Sequence, residues 1–163
     1  MSKLTICTLE NLWGKAGTYL DELQGASQRG YLVPNLVSAK KTWLPPPFGC
    51  YKLNVDAAFN HQKRAAGLGV VVRDDCGVPR VAASWFLKGI MDIEVGEAMA
   101  LLEGLKVAID RNLFPLLIES DSSNVVNLCN NLISSRTEVG VIIQEIKLRI
   151  APFPACSFSH VSC

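Results

Sequence analysis

YKLNVDAAFN, Tyr51–Asn60, alternates apolar and polar residues with the period of a β-strand, Leu53, Val55 and Ala57 to one side, Asn54, Asp56 and Ala58 to the other. Asp56 is the exception that needs a cause. Aspartate is depleted in strands, and burying it uncompensated costs several kcal/mol, so it calls for a turn, a partner or a cation. A cation is the working expectation, and it requires further acids elsewhere in the chain.

Working outward, a polar turn at 61–64 separates this strand from Ala66–Arg73 (AGLGVVVR), and the turn Asp74-Asp-Cys-Gly77 leads to a third strand, Arg80–Leu87. Turns this short predict an antiparallel meander. Gly67 and Gly69 lie inside a strand and so do not form a nucleotide loop, which belongs between a strand and a helix. Lys63, Arg64 and Arg73 make a solvated basic group with access to phosphates.

Downstream, residues 94–111 carry a helical stripe of Ala98, Leu101, Leu102, Leu105, Ala108 and Ile109. Pro115–Ser120 reads as a short apolar strand between helices, the pattern of a parallel insertion, and Asp121 stands at its end. A helix is expected over Val125–Ile133, and a third follows from the stripe Val139, Ile142, Ile143, Ile146 and Ile150. Cys156–Val161 is a final strand. Upstream, Leu9, Leu12, Trp13, Ala16, Tyr19, Leu20 and Leu23 mark an amphipathic helix over 9–24, and Trp43-Leu-Pro-Pro-Pro47 is an extended lead-in. The expected organisation is an N-terminal helix and linker over 1–42 and one α/β domain over 43–163.

At 163 residues, 49% hydrophobic and 19% charged, the chain is globular in composition. A net charge of +1 excludes an overall basic field for nucleic acid, so any such binding must be local. The six cysteines include no Cys-x-x-Cys pair, and with His61 and His160 far apart a structural zinc site is not expected. Neither a signal peptide nor an apolar run of ~20 residues is recognisable, which points to an intracellular protein with reduced thiols, in nucleus or cytoplasm alike.

Three acids fall where the sheet could gather them: Asp56, Asp121 and Glu97 on the intervening helix. Carboxylates in such a group suit two-metal Mg²⁺ chemistry on a phosphodiester. Each also has a plain structural reading. Asp121 is equally placed to cap the helix after it. On a helical wheel Glu97 lies at the edge of the apolar stripe and Glu94 nearer its middle, so periodicity favours Glu94 or neither. Asp74 and Asp75 read as turn formers, Asp92 as a loop residue near the helix start, and His160 as a strand-end residue. No nucleophile-elbow pattern is present.

The stretches Trp43-Leu-Pro-Pro-Pro47, Lys52-Leu-Asn-Val-Asp56, Ala66–Asp74, Gly96–Leu105 and Ile118-Glu-Ser-Asp-Ser122 resemble, in that order, the ribonuclease H domain of plant non-LTR retroelement-derived, reverse transcriptase-like proteins. The resemblance implies a ribonuclease H-like fold, a mixed five-stranded sheet (three antiparallel strands plus two parallel) with flanking helices, in which the strand of Asp121 lies parallel beside that of Asp56. It puts the family's catalytic glutamate on Glu97. Asp56, Glu97 and Asp121 then match three of four metal-binding acids, and the implied reaction is Mg²⁺-dependent hydrolysis of the RNA strand of an RNA–DNA hybrid. Two departures stand out. Ala57 occupies a position where the family usually has glycine. The helix that carries the family's fourth acid follows the final His-Val strand, and this sequence ends at Cys163. The expectations are a weakened second metal position, reduced turnover, and an uncovered apolar sheet face on which the Leu9–Leu23 stripe docks. The rival expectation is a catalytically silent nucleic-acid-binding or interaction module.

Overall fold

The computed structural model describes residues 4–6, 43–90, 92–131, 136–153 and 155–162. Its elements are β1 (Leu4–Ile6), β2 (Tyr51–Asn60), β3 (Ala65–Arg73), β4 (Pro79–Lys88), α1 (Ile93–Asp110), β5 (Leu116–Ser120), α2 (Ser123–Asn130), α3 (Glu138–Ile150) and β6 (Cys156–His160). The strands form one sheet in the order β1-β4-β3-β2-β5-β6. The mixed five-stranded arrangement expected from the sequence is present: β2, β3 and β4 are antiparallel, and β5 and β6 run parallel to β2. Beyond it, β1 pairs antiparallel with β4. Three residues carry no readable period, so nothing in the sequence announced that strand.

Alternation along β2 and β3 sends Leu53, Val55, Leu68, Val70 and Val72 to one face, where they meet Ala98, Leu101, Leu105 and Ala108 of α1, all buried. The hydrophobic effect holds this layer together, at roughly 1.5–3 kcal/mol for each large side chain removed from water. Gly104 lets α1 settle closely on the strands: a Cβ there would stand 3.0 Å from Leu53 Cδ1 and 3.1 Å from Val55 Cγ1 and Val70 Cγ1. Alanine is the better helix former by about 1 kcal/mol, but overpacking costs about 1–3 kcal/mol. Gly104→Ala is therefore expected to lower the thermal midpoint by a few degrees, because three buried β-sheet side chains must yield together.

The opposite face departs from expectation in part. It is mixed: the pleat places Lys52, Asn54 and Asp56 of β2 there, with Gly69 and Arg73 of β3 and Glu119 of β5, beside the apolar Val71, Ala82, Phe86 and Leu117. The helix expected over 9–24, its docking stripe and the linker to residue 42 lie outside the described residues. The helix expected to run to Ile133 ends at Asn130, where the extended backbone of Asn131 stops it.

Candidate metal centre

The β2–β5 ladder decides which acids meet. It runs parallel from Tyr51↔Leu116 to Asn54↔Glu119. Asp56 and Asp121 lie two residues beyond that last rung, so they emerge on the same face from adjacent strands just past the end of the pairing. Asp121 does not cap the next helix. Ser122 does, its Oγ accepting from Val125 N at 3.4 Å. The turn between them is tied to its surroundings: Ser122 N donates to Ser120 Oγ at 3.1 Å, Val161 N donates to Ser120 O at 3.0 Å, and His160 Nε2 lies 3.0 Å from the Asp121 carbonyl oxygen. His160 thus sits at a strand end with a backbone partner, as read from the sequence.

Helix α1 supplies the third acid. Asp92 caps it, accepting from Glu94 N at 2.8 Å and Val95 N at 3.3 Å. Gly96 faces the Phe59 ring, and a side chain there would collide with it, so the absence of a Cβ lets the helix start approach β2. Glu97 follows and is buried. Tyr51 N points toward β5, donating to Pro115 O, and by the two-residue period Ala57 N points the same way after β5 has ended. The Glu97 carboxylate takes that hydrogen bond from the Ala57 backbone. Glu94, which the wheel favoured, is exposed and accepts from Asn124 Nδ2 at 2.6 Å.

Asp56, Glu97 and Asp121 each offer a carboxylate oxygen within 4.8 Å of the others. The two aspartates are exposed and the glutamate is buried. Among the described residues, Glu97 Oε2 is a buried oxygen with no hydrogen-bond partner. Burial, then the negative charges of Asp121 and Asp56, push the Glu97 carboxyl up from 4.5 to about 7, against the pull of the Ala57 N–H. Three carboxylates held this close repel one another, and a buried acceptor without a donor is costly. A hard divalent cation relieves both, and an all-oxygen donor set suits one.

The proton linkage has a definite sign. Folding raises the Glu97 pKa from 4.5 to about 7, so between those values the folded protein binds more protons than the unfolded chain. The contribution to stability is complete below the lower value and disappears as pH rises through the upper. Without divalent cations, the thermal midpoint should fall between about pH 5 and 8 through this group, and Glu97→Gln should flatten the fall.

Asp74, Asp75 and Cys76 also lie close together, but there the carboxylates build a turn. Asp74 Oδ1 accepts from Cys76 N and Val78 N at 3.1 and 2.9 Å, and Asp75 Oδ2 accepts from Gly49 N at 2.7 Å. One feature beside the acids was not singled out in the sequence: Asn54 and Glu119, each two residues before an acid, are hydrogen-bonded to each other at 2.9 Å. The signal available for it was the pair of polar residues in phase with Asp56 and Asp121.

The strand order, with a parallel pair added to an antiparallel meander and helix α1 between them, defines a ribonuclease H-like domain. The profile of the reverse transcriptase-like family matches residues 54–163, and the chain belongs to that family. Among solved structures it is similar to RNase H1 from the halophilic archaeon Halobacterium salinarum NRC-1, with a TM-score of 0.63 at 18% identity over 70% of this chain and 86% of that one. LC11-RNase H1, a compost metagenomic protein solved in complex with an RNA/DNA hybrid, aligns with a TM-score of 0.59 at 19% identity over 69% and 85%. The N-terminal RNase H domain of a Mycobacterium tuberculosis protein, solved as a fusion with maltose-binding protein, gives 0.62 at 17% over 69% and 81%. At such identities the likeness is one of fold. No curated protein matches the chain. No helix among the described residues is long and apolar enough to cross a membrane.

Proposed function

We propose that this protein is a Mg²⁺-dependent endonuclease of the ribonuclease H type, hydrolysing the RNA strand of an RNA–DNA hybrid. One observation carries the reading: a buried glutamate oxygen without a hydrogen-bond donor, beside two exposed aspartates at the open end of a parallel strand pair. Asp56, Glu97 and Asp121 would hold the cation. Mg²⁺ bound there would activate a water for attack on the phosphodiester and neutralise charge on the leaving oxygen. Asp56 and Asp121 face solvent, where a duplex backbone can reach them, while Glu97 anchors the group from within the fold. An A-like hybrid offers 2′-hydroxyls in a wide, shallow groove, a shape that discriminates it from DNA.

The described residues bring three carboxylates together. The second reading is a nucleic-acid-binding module without catalysis. The Trp43-Leu-Pro-Pro-Pro47 and Lys52-Leu-Asn-Val-Asp56 motifs support an origin in the plant retroelement-derived branch of the family. The free thiols Cys50, Cys76, Cys129 and Cys156 suit an intracellular setting.

The deciding experiment presents end-labelled RNA–DNA hybrid, duplex RNA and single-stranded RNA to the full chain in Mg²⁺ and in EDTA. Cleavage confined to the RNA of the hybrid, and lost in EDTA, is the expected result. Hybrid binding with no cleavage at any Mg²⁺ concentration would establish the second reading instead.

A further inference from the structure

Behind the acids, on the sheet face opposite α1, four side chains from three strands form a chain of directional contacts. Arg73 Nη1 of β3 donates to Asn54 Oδ1 of β2 at 3.0 Å, and Asn54 Nδ2 donates to Glu119 Oε2 of β5 at 2.9 Å. Lys52 Nζ closes it, 2.8 Å from Glu119 Oε1. The Lys52 and Glu119 side chains are only 8% and 12% exposed, so this pair is shielded from solvent as surface pairs are not. Arg73 has a consequence for the amide: by occupying Oδ1 it turns the NH₂ group toward Glu119.

The brace sits at the last rung of the β2–β5 ladder, Asn54↔Glu119. Asp56 and Asp121 come next on that face, roughly 6–7 Å farther along at 3.3 Å per residue. They stand where backbone pairing has stopped and where their like charges push the two strands apart. From this juxtaposition we infer that Asn54 and Glu119 are positioning residues: their hydrogen bond, held by Arg73 and Lys52, fixes Asp56 and Asp121 at the separation a shared divalent cation requires. The inference rests on the reading of the acids as a cation site. Asn54 and Glu119 act through the aspartates and touch neither metal nor substrate.

An isosteric exchange tests this. Asn54→Asp alone sets two carboxylates against each other, and Glu119→Gln alone gives up one of the two acceptors. The double exchange re-forms every contact with only the 54–119 bond reversed in direction, Arg73 and the Gln amide donating to Asp and Lys52 donating to the Gln oxygen. Mg²⁺ affinity of the full chain is followed by amide NMR shifts, and thermal midpoints are measured in EDTA. Asn54→Asp should weaken Mg²⁺ binding by about 10–100-fold, the usual effect of disturbing residues that orient metal ligands, and the double exchange should recover most of it. Gly104→Ala, destabilised from the α1 side of the sheet and not through the brace side chains, should bind Mg²⁺ like the parent. If Asn54→Asp does not fold, Glu119→Gln against the double exchange decides by the same comparison. Single variants that lose stability yet bind Mg²⁺ like the parent would overturn the inference and leave the brace a structural contact. A parent chain that binds no Mg²⁺ would instead remove the cation-site reading, and the inference with it.

Discussion

Asp56→Asn is expected to abolish hybrid cleavage in Mg²⁺ while leaving hybrid affinity unchanged or tighter. The substitution is nearly isosteric, and Asp56 is exposed midway along β2, past the end of its pairing with β5, so neither packing nor the sheet register depends on its charge. What changes is the donor set: one of three carboxylates within 4.8 Å of one another becomes a neutral amide. Removing a single preorganised charge-stabilising group costs about 10²–10³ in rate, and a group of three has no spare member to compensate. Affinity moves the other way because a negative charge facing the phosphate backbone is gone. Cleavage within tenfold of the parent would show that Asp56 is not a ligand. The variant also separates the two readings of the protein: a silent binding module would show no cleavage before or after the change.

Ile118→Ala is expected to be the most damaging of these changes to the fold itself, by about 2–5 kcal/mol. Ile118 is fully buried in β5, paired with Leu53 of β2 on one side and Phe158 of β6 on the other. It belongs to the sheet layer of the main core, and close-packed neighbours relax only partly around a lost side chain, so the penalty includes the cavity as well as the transfer. The position matters to the site because Asp121 follows three residues later, just past the end of β5. Urea unfolding of the purified variant measures the loss. A change under about 1 kcal/mol would mean that the space collapses and that β5 is not the packed centre of the sheet.

The acids divide into those legible from local sequence and those that were not. Asp56 stood out because an ionisable residue interrupts a strong strand alternation, and that conflict is visible within ten residues. Glu97 was not distinguishable by periodicity. The wheel angle that favours Glu94 assumes one flat apolar partner, whereas α1 begins beyond the end of β5, where the Ala57 backbone N–H attracts a carboxylate. Family resemblance selected Glu97, and the structure supplies the physical reason. For Asp121, local sequence could not choose between cap and cluster because both readings share the same Asp-Ser-Ser sequence. The Ser122 hydroxyl takes the capping bond, and the Asp121 carboxylate joins the cluster. The face opposite α1 is more polar than expected for a different reason: the polar residues of β2 alternate with its core residues, and their partners Arg73 and Glu119 lie on other strands.

By itself, the amino-acid order determined the elements: where strands and helices lie, which side of each is buried, and that Asp56 needs explaining. Those properties follow from side-chain period and turn chemistry, which act over a few residues. Tertiary structure alone decided which carboxylates meet, which polar side chains brace them, and that Leu4–Ile6 adds an edge to β4. Each of these depends on which strands become neighbours and in what register. Pairing energy between distant segments sets that, and no local period records it.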